Sequence, residues 1–222
     1  MPAKRLARRT KAPASASLPA RQLATAVRYL GRHDPVLRAL MRRAGPCRLR
    51  PHRRYFETLL QSIVGQQLSG KAADAIWAKV CSRFPRGRCP RPEALLAAPD
   101  EVLRGAGLSR AKVRSVKDLC AHVVDGRLDL HHLSRQSDAH IVESLVAVRG
   151  IGEWTAHMFL MFSLCRLDVL PTGDLGVRKG CQKLYGLETL PTPKEVAALA
   201  DERGWAPYRS VASWYMWRVL EE

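Results

Sequence analysis

Residues 148–174 read VRGIGEWTAHMFLMFSLCRLDVLPTGD, and the fold of the chain is organised around this stretch. It begins with a glycine turn at residues 150–152, continues into an apolar helical segment from Trp154 onward, and ends in a Pro/Gly turn before Asp174. Free amide groups and the helix dipole at the start of such a segment attract anions. The stretch therefore predicts a phosphate-binding hairpin, with one carboxylate 22 positions after Gly152. The alternative interpretations are an ordinary corner between two helices and a simple N-cap at Asp174.

The chain is strongly basic. It has 37 lysines and arginines against 20 acidic residues, a net charge of +17. Residues 1–20 contribute five of these bases and no acid, so the remainder of the chain still carries +12. A basic folded body favours a polyanionic partner, and nucleic acid is the first candidate. The alternative is a protein with solvated basic faces.

Length and cysteine spacing narrow the class of protein. A chain of 222 residues suits one large domain or two small lobes around a cleft. The six cysteines contain no CxxC pair or metal-cluster spacing, so we expect reduced thiols in a cytosol-like compartment. No apolar run is long enough to cross a membrane, and no secretory signal follows the basic N-terminus. We expect a cytoplasmic protein with no membrane partner, nucleoid-associated if it is bacterial.

Apolar positions recur with a helical period from Gln22 onward, and no period-two pattern occurs, which predicts an all-α fold. Residues 1–20 lack this period, and we expect a disordered basic tail followed by a folded domain over residues 21–222. The tail is either an extra DNA-binding arm or simply solvated. One helix is expected over residues 55–67, ahead of a polar junction at residues 66–69. Candidate N-caps for later helices are Asp34, Ser69, a position near Pro99–Asp100, and Ser109, and further helices are expected to start at Ser137 and Thr192.

Four motifs, in order along the chain, carry a family resemblance. They are SIVGQQLS at residues 62–69, LVAVRGIGEWTA at residues 145–156, PTGDLGVRKG around Asp174, and the aromatic block at residues 205–218. The chain resembles the AlkA-type 3-methyladenine DNA glycosylases (glycosylase II) of the helix-hairpin-helix HhH-GPD superfamily over about residues 22–220. It has no room for the N-terminal β domain of the longer AlkA proteins. The resemblance implies two helical lobes with the active-site cleft between them and the hairpin, residues 145–156, at that cleft.

The resemblance also implies roles for individual residues. Each has a structural alternative: aromatic residues at helical spacing are often core, and the junction at residues 66–69 could be a capped helix corner. Asp174 corresponds to the catalytic aspartate, with Trp154, Met158 and Trp217 around the base pocket. The side chain that enters the duplex is Gln67, or Leu68 as the alternative. Contacts to the DNA backbone fall on Arg149, Gly150, Gly152 and Thr155. The carbonyls of Val146, Val148 and Ile151 correspond to a site for a monovalent cation, Na⁺ or K⁺, and no other cofactor is expected.

The activity implied is that of a monomeric base excision repair enzyme acting on damaged bases in double-stranded DNA. It would flip out an alkylated purine of the 3-methyladenine or 7-methylguanine type, hydrolyse the N-glycosidic bond and leave an abasic site. A lyase of this superfamily carries a lysine two positions after the second hairpin glycine, where this chain has Trp154, so no lyase activity is expected. Alternatives are a non-catalytic DNA-binding module and a glycosylase for hypoxanthine or ethenoadenine.

Overall fold

The structure, a computed structural model, describes residues 17–222, and no β-strand occurs within that range. The all-α prediction is therefore confirmed for the described residues. Two short 3₁₀ turns, Pro85–Gly87 and Leu133–Arg135, accompany the α-helices. The α-helices are α1 (Ser17–His33), α2 (Pro35–Ala44), α3 (Tyr55–Gly65), α4 (Gly70–Ser82), α5 (Pro92–Ala97), α6 (Asp100–Gly105), α7 (Arg110–Val124), α8 (Asp138–Val146), α9 (Glu153–Phe162), α10 (Leu175–Tyr185), α11 (Pro193–Glu202) and α12 (Arg209–Arg218).

The predicted disordered tail, residues 1–20, is too long at its C-terminal end. Helix α1 already begins at Ser17, while residues 1–16 lie outside the described range. The anchor of α1 is its buried face, with Leu23, Ala26 and Leu30 all below 8% exposure. Once a helix has formed, each added residue gains a backbone hydrogen bond and costs little free energy. The helix therefore extends beyond its buried stretch.

Four of the six predicted helix starts have a side chain that bonds to a backbone amide in the first helical turn. They are Asp34, Ser109, Ser137 and Thr192, the last in a capping box with Glu195. Ser69 occupies the N-cap position of α4 but makes no such bond. The cap predicted near Pro99–Asp100 is also absent, because Pro99 occupies the N-cap position of α6 and has no side-chain acceptor.

The helices form two lobes, each with its own apolar core. The internal lobe consists of α3 to α9, and its core includes Leu60, Leu119 and Phe159. The terminal lobe combines α1 and α2 from the start of the chain with α10 to α12 from its end, and its core includes Trp205 and Tyr215. The two-lobed architecture is thus as expected. Three of the six cysteines, Cys47, Cys120 and Cys181, lie in these cores, and burial raises the pKa of each to about 12.

The first and last parts of the terminal lobe are joined at a buried carboxylate. Asp34 is fully buried and accepts hydrogen bonds from the Leu37 amide at the start of α2, from the Tyr185 hydroxyl and from the Trp205 indole. Burial and the neighbouring Asp34 carboxylate raise the pKa of Tyr185 well above its usual value, which keeps the phenol protonated as a donor.

Two linkers connect the lobes and are hydrogen-bonded to each other. The amide of His52 in the first linker donates to the carbonyl of Ser163 in the second at 3.0 Å. Asp168 in the second linker forms a two-pronged ion pair with Arg209 at the start of α12, with N···O distances of 2.7 and 2.9 Å. Paired guanidinium and carboxylate groups have a fixed relative orientation. The linker that contains Asp174 is therefore held against α12.

No helix in the described part of the chain is long and apolar enough to cross a bilayer.

Candidate active site

Asp174 lies where the second linker enters α10, and its side chain is only 9% exposed. A turn, in which its amide donates to the Pro171 carbonyl at 2.9 Å, places it there. Its Oδ1 accepts the amide of Val177 at 2.7 Å, so Asp174 is the N-cap of α10. The N-cap interpretation is therefore correct, and it does not compete with a chemical role, since the cap engages Oδ1 and leaves Oδ2 to other partners.

Two indole groups donate to the same carboxylate, one from each lobe. Trp217 of α12 donates from Nε1 to Oδ1 at 2.8 Å, and Trp154 of α9 donates from Nε1 to Oδ2 at 2.6 Å. An indole N–H can only donate, so both contacts suit a carboxylate acceptor. Asp174 is therefore held by three N–H groups at the boundary between the lobes, where the resemblance places the catalytic carboxylate.

The close approach of Trp217 depends on a glycine in the first turn of α10. A Cβ built on Gly176 would lie 2.6 Å from Cδ1 and 2.7 Å from Nε1 of the Trp217 indole, and 3.0 Å from Oδ1 of Asp174. These distances are shorter than real carbon contacts. A side chain at position 176 would displace the indole from the carboxylate.

A cavity of about 610 Å³ opens between α3 and α9. Asp174 does not line it, but the Trp154 indole that donates to the carboxylate does. Trp154 and Met158 line it, and the Trp154 side chain is 54% exposed, which leaves indole surface free for a ligand. Trp217 does not line the cavity directly but packs against one of its walls, with its ring centroid 5.6 Å from that of Phe162. The other lining residues are Thr58, Leu59, Gln61, Ser62, Gly65, Gln66, Gln67, Leu68, Thr155, Phe159 and Phe162.

The polar junction predicted to enter the duplex forms one edge of this cavity. We call residues 66–69 the wedge turn. Helix α3 ends at Gly65 rather than at residue 67 as predicted, since Gln66 leaves the helix with ψ of 134°. Its last carbonyls are satisfied instead by the Lys112 side chain, which donates to Val64 O and Gln66 O. Gln67 is exposed with φ of +59°, and Leu68 is 37% exposed, so the two wedge candidates stand together at the cavity mouth.

The predicted hairpin connects α8 to α9 as expected. Ile151 is 3% exposed, and its amide donates to the Val148 carbonyl at 3.0 Å, so it closes the turn from inside. Gly150 has φ of +82°, and a Cβ on it would lie 2.5 Å from Ser115 Oγ. Only glycine fits both the dihedral angle and the close approach to α7. Gly152 is the N-cap of α9, whose first amides have no acceptor within the helix.

Among the predicted contacts to the DNA backbone, Arg149, Gly150 and Gly152 are exposed together on the hairpin. Thr155 differs, because the residue is only 7% exposed and lines the cavity. Its backbone amide, in the first turn of α9, is the group that suits the predicted role.

The predicted cation site depends on backbone carbonyls of the same hairpin. The Val148 carbonyl already accepts the Ile151 amide, which leaves one lone pair for a cation. Carbonyl oxygens suit hard cations. The roles of the Val146, Val148 and Ile151 carbonyls stay a prediction.

Several residues of the site were missed at the level of sequence. Phe162 continues the spacing of Trp154 and Met158 along α9, four residues per step, so helical periodicity could have identified it as cavity lining. Lys112 and Asp118 were missed because nothing in their local sequence signals a link to the wedge turn or the hairpin.

Comparisons with known proteins find relatives in sequence and in fold. The family model of the HhH-GPD superfamily base excision DNA repair proteins matches residues 60–205. DNA-3-methyladenine glycosylase 1 of Schizosaccharomyces pombe is 35% identical over 165 residues, covering 74% of this chain and 72% of that protein. The structure of the 3-methyladenine DNA glycosylase of S. pombe in complex with abasic DNA superposes with a TM-score of 0.78 at 32% identity, over 89% of this chain and 97% of that one. A DNA-3-methyladenine glycosidase structure from Bacillus halodurans gives a TM-score of 0.79 at 40% identity, over 87% and 88% of the two chains.

Proposed function

The chain belongs to the HhH-GPD superfamily of base excision DNA repair proteins, and from this premise we propose that it is a monofunctional glycosylase for alkylated purines in duplex DNA. Its substrates are purines of the 3-methyladenine and 7-methylguanine type, and its products are the free base and an abasic site. The relatives named as 3-methyladenine glycosylases support this specificity. The observation that carries the proposal is the Asp174 carboxylate, held between two indole N–H donors beside an aromatic cavity.

Binding begins at the DNA backbone. The free amides at the start of α9, the exposed hairpin and the net charge of +17 attract phosphate groups. The wedge turn then enters the duplex through Gln67 or Leu68 and occupies the space of the nucleotide that rotates out. Rotation is least costly for a lesion that already pairs or stacks poorly.

The flipped base enters the cavity between α3 and α9. Its lining is largely apolar and aromatic, and Trp154 presents exposed indole surface to it. A purine alkylated at N3 or N7 is cationic, and a cation over an aromatic face gains about 0.5–2 kcal/mol. The cavity therefore favours the charged lesion over a normal, neutral base.

Cleavage follows from the position of the carboxylate. The C1′–N bond breaks with its electron pair leaving on the base, and positive charge develops on the sugar. The fixed Asp174 carboxylate stabilises that charge in the transition state. Water then adds to C1′ and loses a proton to Asp174 or to solvent. An alkylated base is already positively charged before cleavage, so it leaves as a neutral molecule without a strong general acid.

The absence of a lyase step is part of the same proposal. Trp154 occupies the position at which the resemblance would place a nucleophilic lysine, and none of the described residues lining the cavity is a lysine. A Schiff base with the sugar therefore lacks its amine. We further propose that the protein acts as a monomer in the cytoplasm, with a Na⁺ or K⁺ ion at the hairpin carbonyls and no other cofactor.

The substitution Asp174→Asn tests the proposal. Base release from duplex DNA containing 7-methylguanine should fall about 100-fold or more, the usual effect of removing a transition-state electrostatic contact. Binding to the same duplex should persist, because the phosphate contacts lie on the hairpin. Released base is measured by chromatography, and abasic sites by strand cleavage with and without alkali. The matched control is Asp201→Asn, at an exposed carboxylate of α11.

The same assay separates the alternatives. Strand cleavage without alkali would identify a lyase, and preferential release of hypoxanthine or ethenoadenine would identify another lesion range. DNA binding with no released base from any of these substrates would identify a non-catalytic module. Unchanged turnover of Asp174→Asn would refute the assignment of the carboxylate.

A further inference from the structure

One face of α7 supports both DNA-facing loops of the internal lobe. Lys112, Ser115 and Asp118 are spaced three residues apart, so they share a face of the helix. Lys112 contacts the end of α3 and the wedge turn, while Ser115 and Asp118 contact the hairpin. The wedge turn and the hairpin are thus mounted on the same helix.

Lys112 is the support on the side of the wedge turn. Its ammonium group donates to the Val64 carbonyl at 2.7 Å and to the Gln66 carbonyl at 2.8 Å. Desolvation lowers the pKa of Lys112 relative to a free lysine. Two of its three N–H donors are therefore used within the protein at the C-terminal end of α3, where a cation is favourable. Its contacts suit a brace rather than a phosphate ligand.

On the hairpin side, Asp118 accepts the amide of Arg149 at 2.7 Å. The backbone of Gly150 lies so close to Ser115 that an added Cβ would be 2.5 Å from its hydroxyl oxygen. The hairpin therefore has one position on α7, fixed by a hydrogen bond and by steric contact.

A hydrogen bond also joins the wedge turn directly to the hairpin. The Gln66 side chain donates from Nε2 to the Gly150 carbonyl at 2.6 Å. The next residue, Gln67, has φ of +59°, a region that residues other than glycine populate sparsely. Such a conformation persists where surrounding contacts hold it. Here the contacts hold the neighbouring residue, Gln66. Its carbonyl accepts a hydrogen bond from Lys112, and its side chain donates one to Gly150.

We propose that Gln66 and Lys112 are positioning residues that hold the wedge turn in a fixed register with the phosphate-binding hairpin. This inference rests on the proposed function, because it requires Gln67 or Leu68 to enter the duplex. A phosphate bound at the hairpin then sets the base step at which the wedge enters. The wedge turn is already ordered in the free protein, so no conformational entropy has to be lost there when DNA binds. More of the binding free energy is then available for flipping.

The test measures flipping of a nucleotide out of the duplex rather than catalysis. A duplex carries an abasic-site analogue with 2-aminopurine as its neighbour, and the fluorescence on binding reports the unstacked state. Gln66→Leu should leave the affinity for undamaged duplex within about 2-fold, because the hairpin keeps its amides, while the flipped fraction at saturation falls about 10-fold. Gln182→Leu is the matched control, since it removes a similar bond to a backbone carbonyl, that of Glu188, in the terminal lobe.

A double-mutant cycle with Gln67→Ala and Leu68→Ala distinguishes positioning from general structural damage. If Gln66 acts through the wedge, Gln66→Leu should reduce flipping by less than about 2-fold once both wedge side chains are already truncated. Additive losses would overturn the inference, as would a wedge truncation without effect on flipping. An equal loss of undamaged binding and of flipping would also overturn it.

Substitutions at Lys112 test the inference independently. Lys112→Met removes both braces and should lower flipping at least as much as Gln66→Leu, whereas Lys112→Arg retains donors for the two carbonyls and should restore most of it. If Lys112→Met fails to fold, the Gln66 cycle still decides the inference. Release of 7-methylguanine by the unmodified protein is measured beside these assays, so loss of the proposed activity and loss of the proposed register are separate results.

Discussion

At the scale of single residues, Asp174 combines a structural role with the proposed chemical one. Its Oδ1 caps α10 and receives the Trp217 indole, while its Oδ2 receives only the Trp154 indole. The cap fixes the carboxylate relative to the backbone, and the indoles fix it relative to the two lobes. A group held in this way needs little reorganisation when charge develops on a bound sugar.

Gly176→Ala tests the contribution of the Trp217 contact. The new Cβ would displace the indole, and a hydrogen bond to a charged group contributes roughly 1.5–3 kcal/mol, so base release should fall about 10-fold or more. Alanine is the better helix former, so helix propensity gives no reason for a loss of stability. Gly173→Ala is the control, because a Cβ there meets nothing within 4 Å. Equal rates for both variants in single-turnover assays would contradict the role of Trp217.

At the scale of elements, the hairpin and the wedge turn show what a local motif predicts and what it does not. The hairpin has a local signature, since glycine spacing, buried Ile151 and the next helix all lie within a few residues. The end of α3 was predicted two residues too late, since the Lys112 brace comes from a helix that begins 45 residues after Gly65. Its apolar pattern gave no sign of that contact.

Gly150→Ala tests the hairpin as an element. Alanine at φ of +82° costs roughly 1–2 kcal/mol, and its Cβ would also meet Ser115. The free energy of unfolding should fall by about 2 kcal/mol, and the affinity for duplex DNA should fall with it, because the first amides of α9 shift. Urea unfolding and a binding titration at fixed salt measure the two effects. The control for stability is Gly152→Ala, at a position with ordinary φ and open space, and a similar fall in the free energy of unfolding there would contradict the argument.

At the scale of the whole molecule, the cleft exists because the chain returns to its starting lobe. Helices α1 and α2 complete the core of α10 to α12, and the internal lobe is inserted between them. Asp34 joins the two halves of the terminal lobe through Tyr185 and Trp205. The position of Asp174 relative to α9 therefore depends on packing contributed by both ends of the described chain.

Asp34→Ala tests this closure. It removes the N-cap of α2 and leaves two buried donors, on Tyr185 and Trp205, without an acceptor. The expected loss is about 3 kcal/mol in the free energy of unfolding, from one cap and the unsatisfied donors. Urea denaturation followed by tryptophan fluorescence measures it. Asp125→Ala, which removes an exposed ion pair with Arg127, should change stability by less than about 1 kcal/mol, and a comparable loss there would contradict the prediction.

The sequence by itself determined the helical class, four of six helix starts with a side-chain cap, the hairpin and the placement of Asp174 after a turn, because each depends on residues within a few positions of one another. Only the tertiary structure decided that two indoles meet on Asp174, from 20 and 43 positions away, and that Gln66 bonds to Gly150 across 84. It also decided that Thr155 is largely buried and lines the cavity. Contacts of that separation depend on how helices pack, which periodicity and capping signals do not encode.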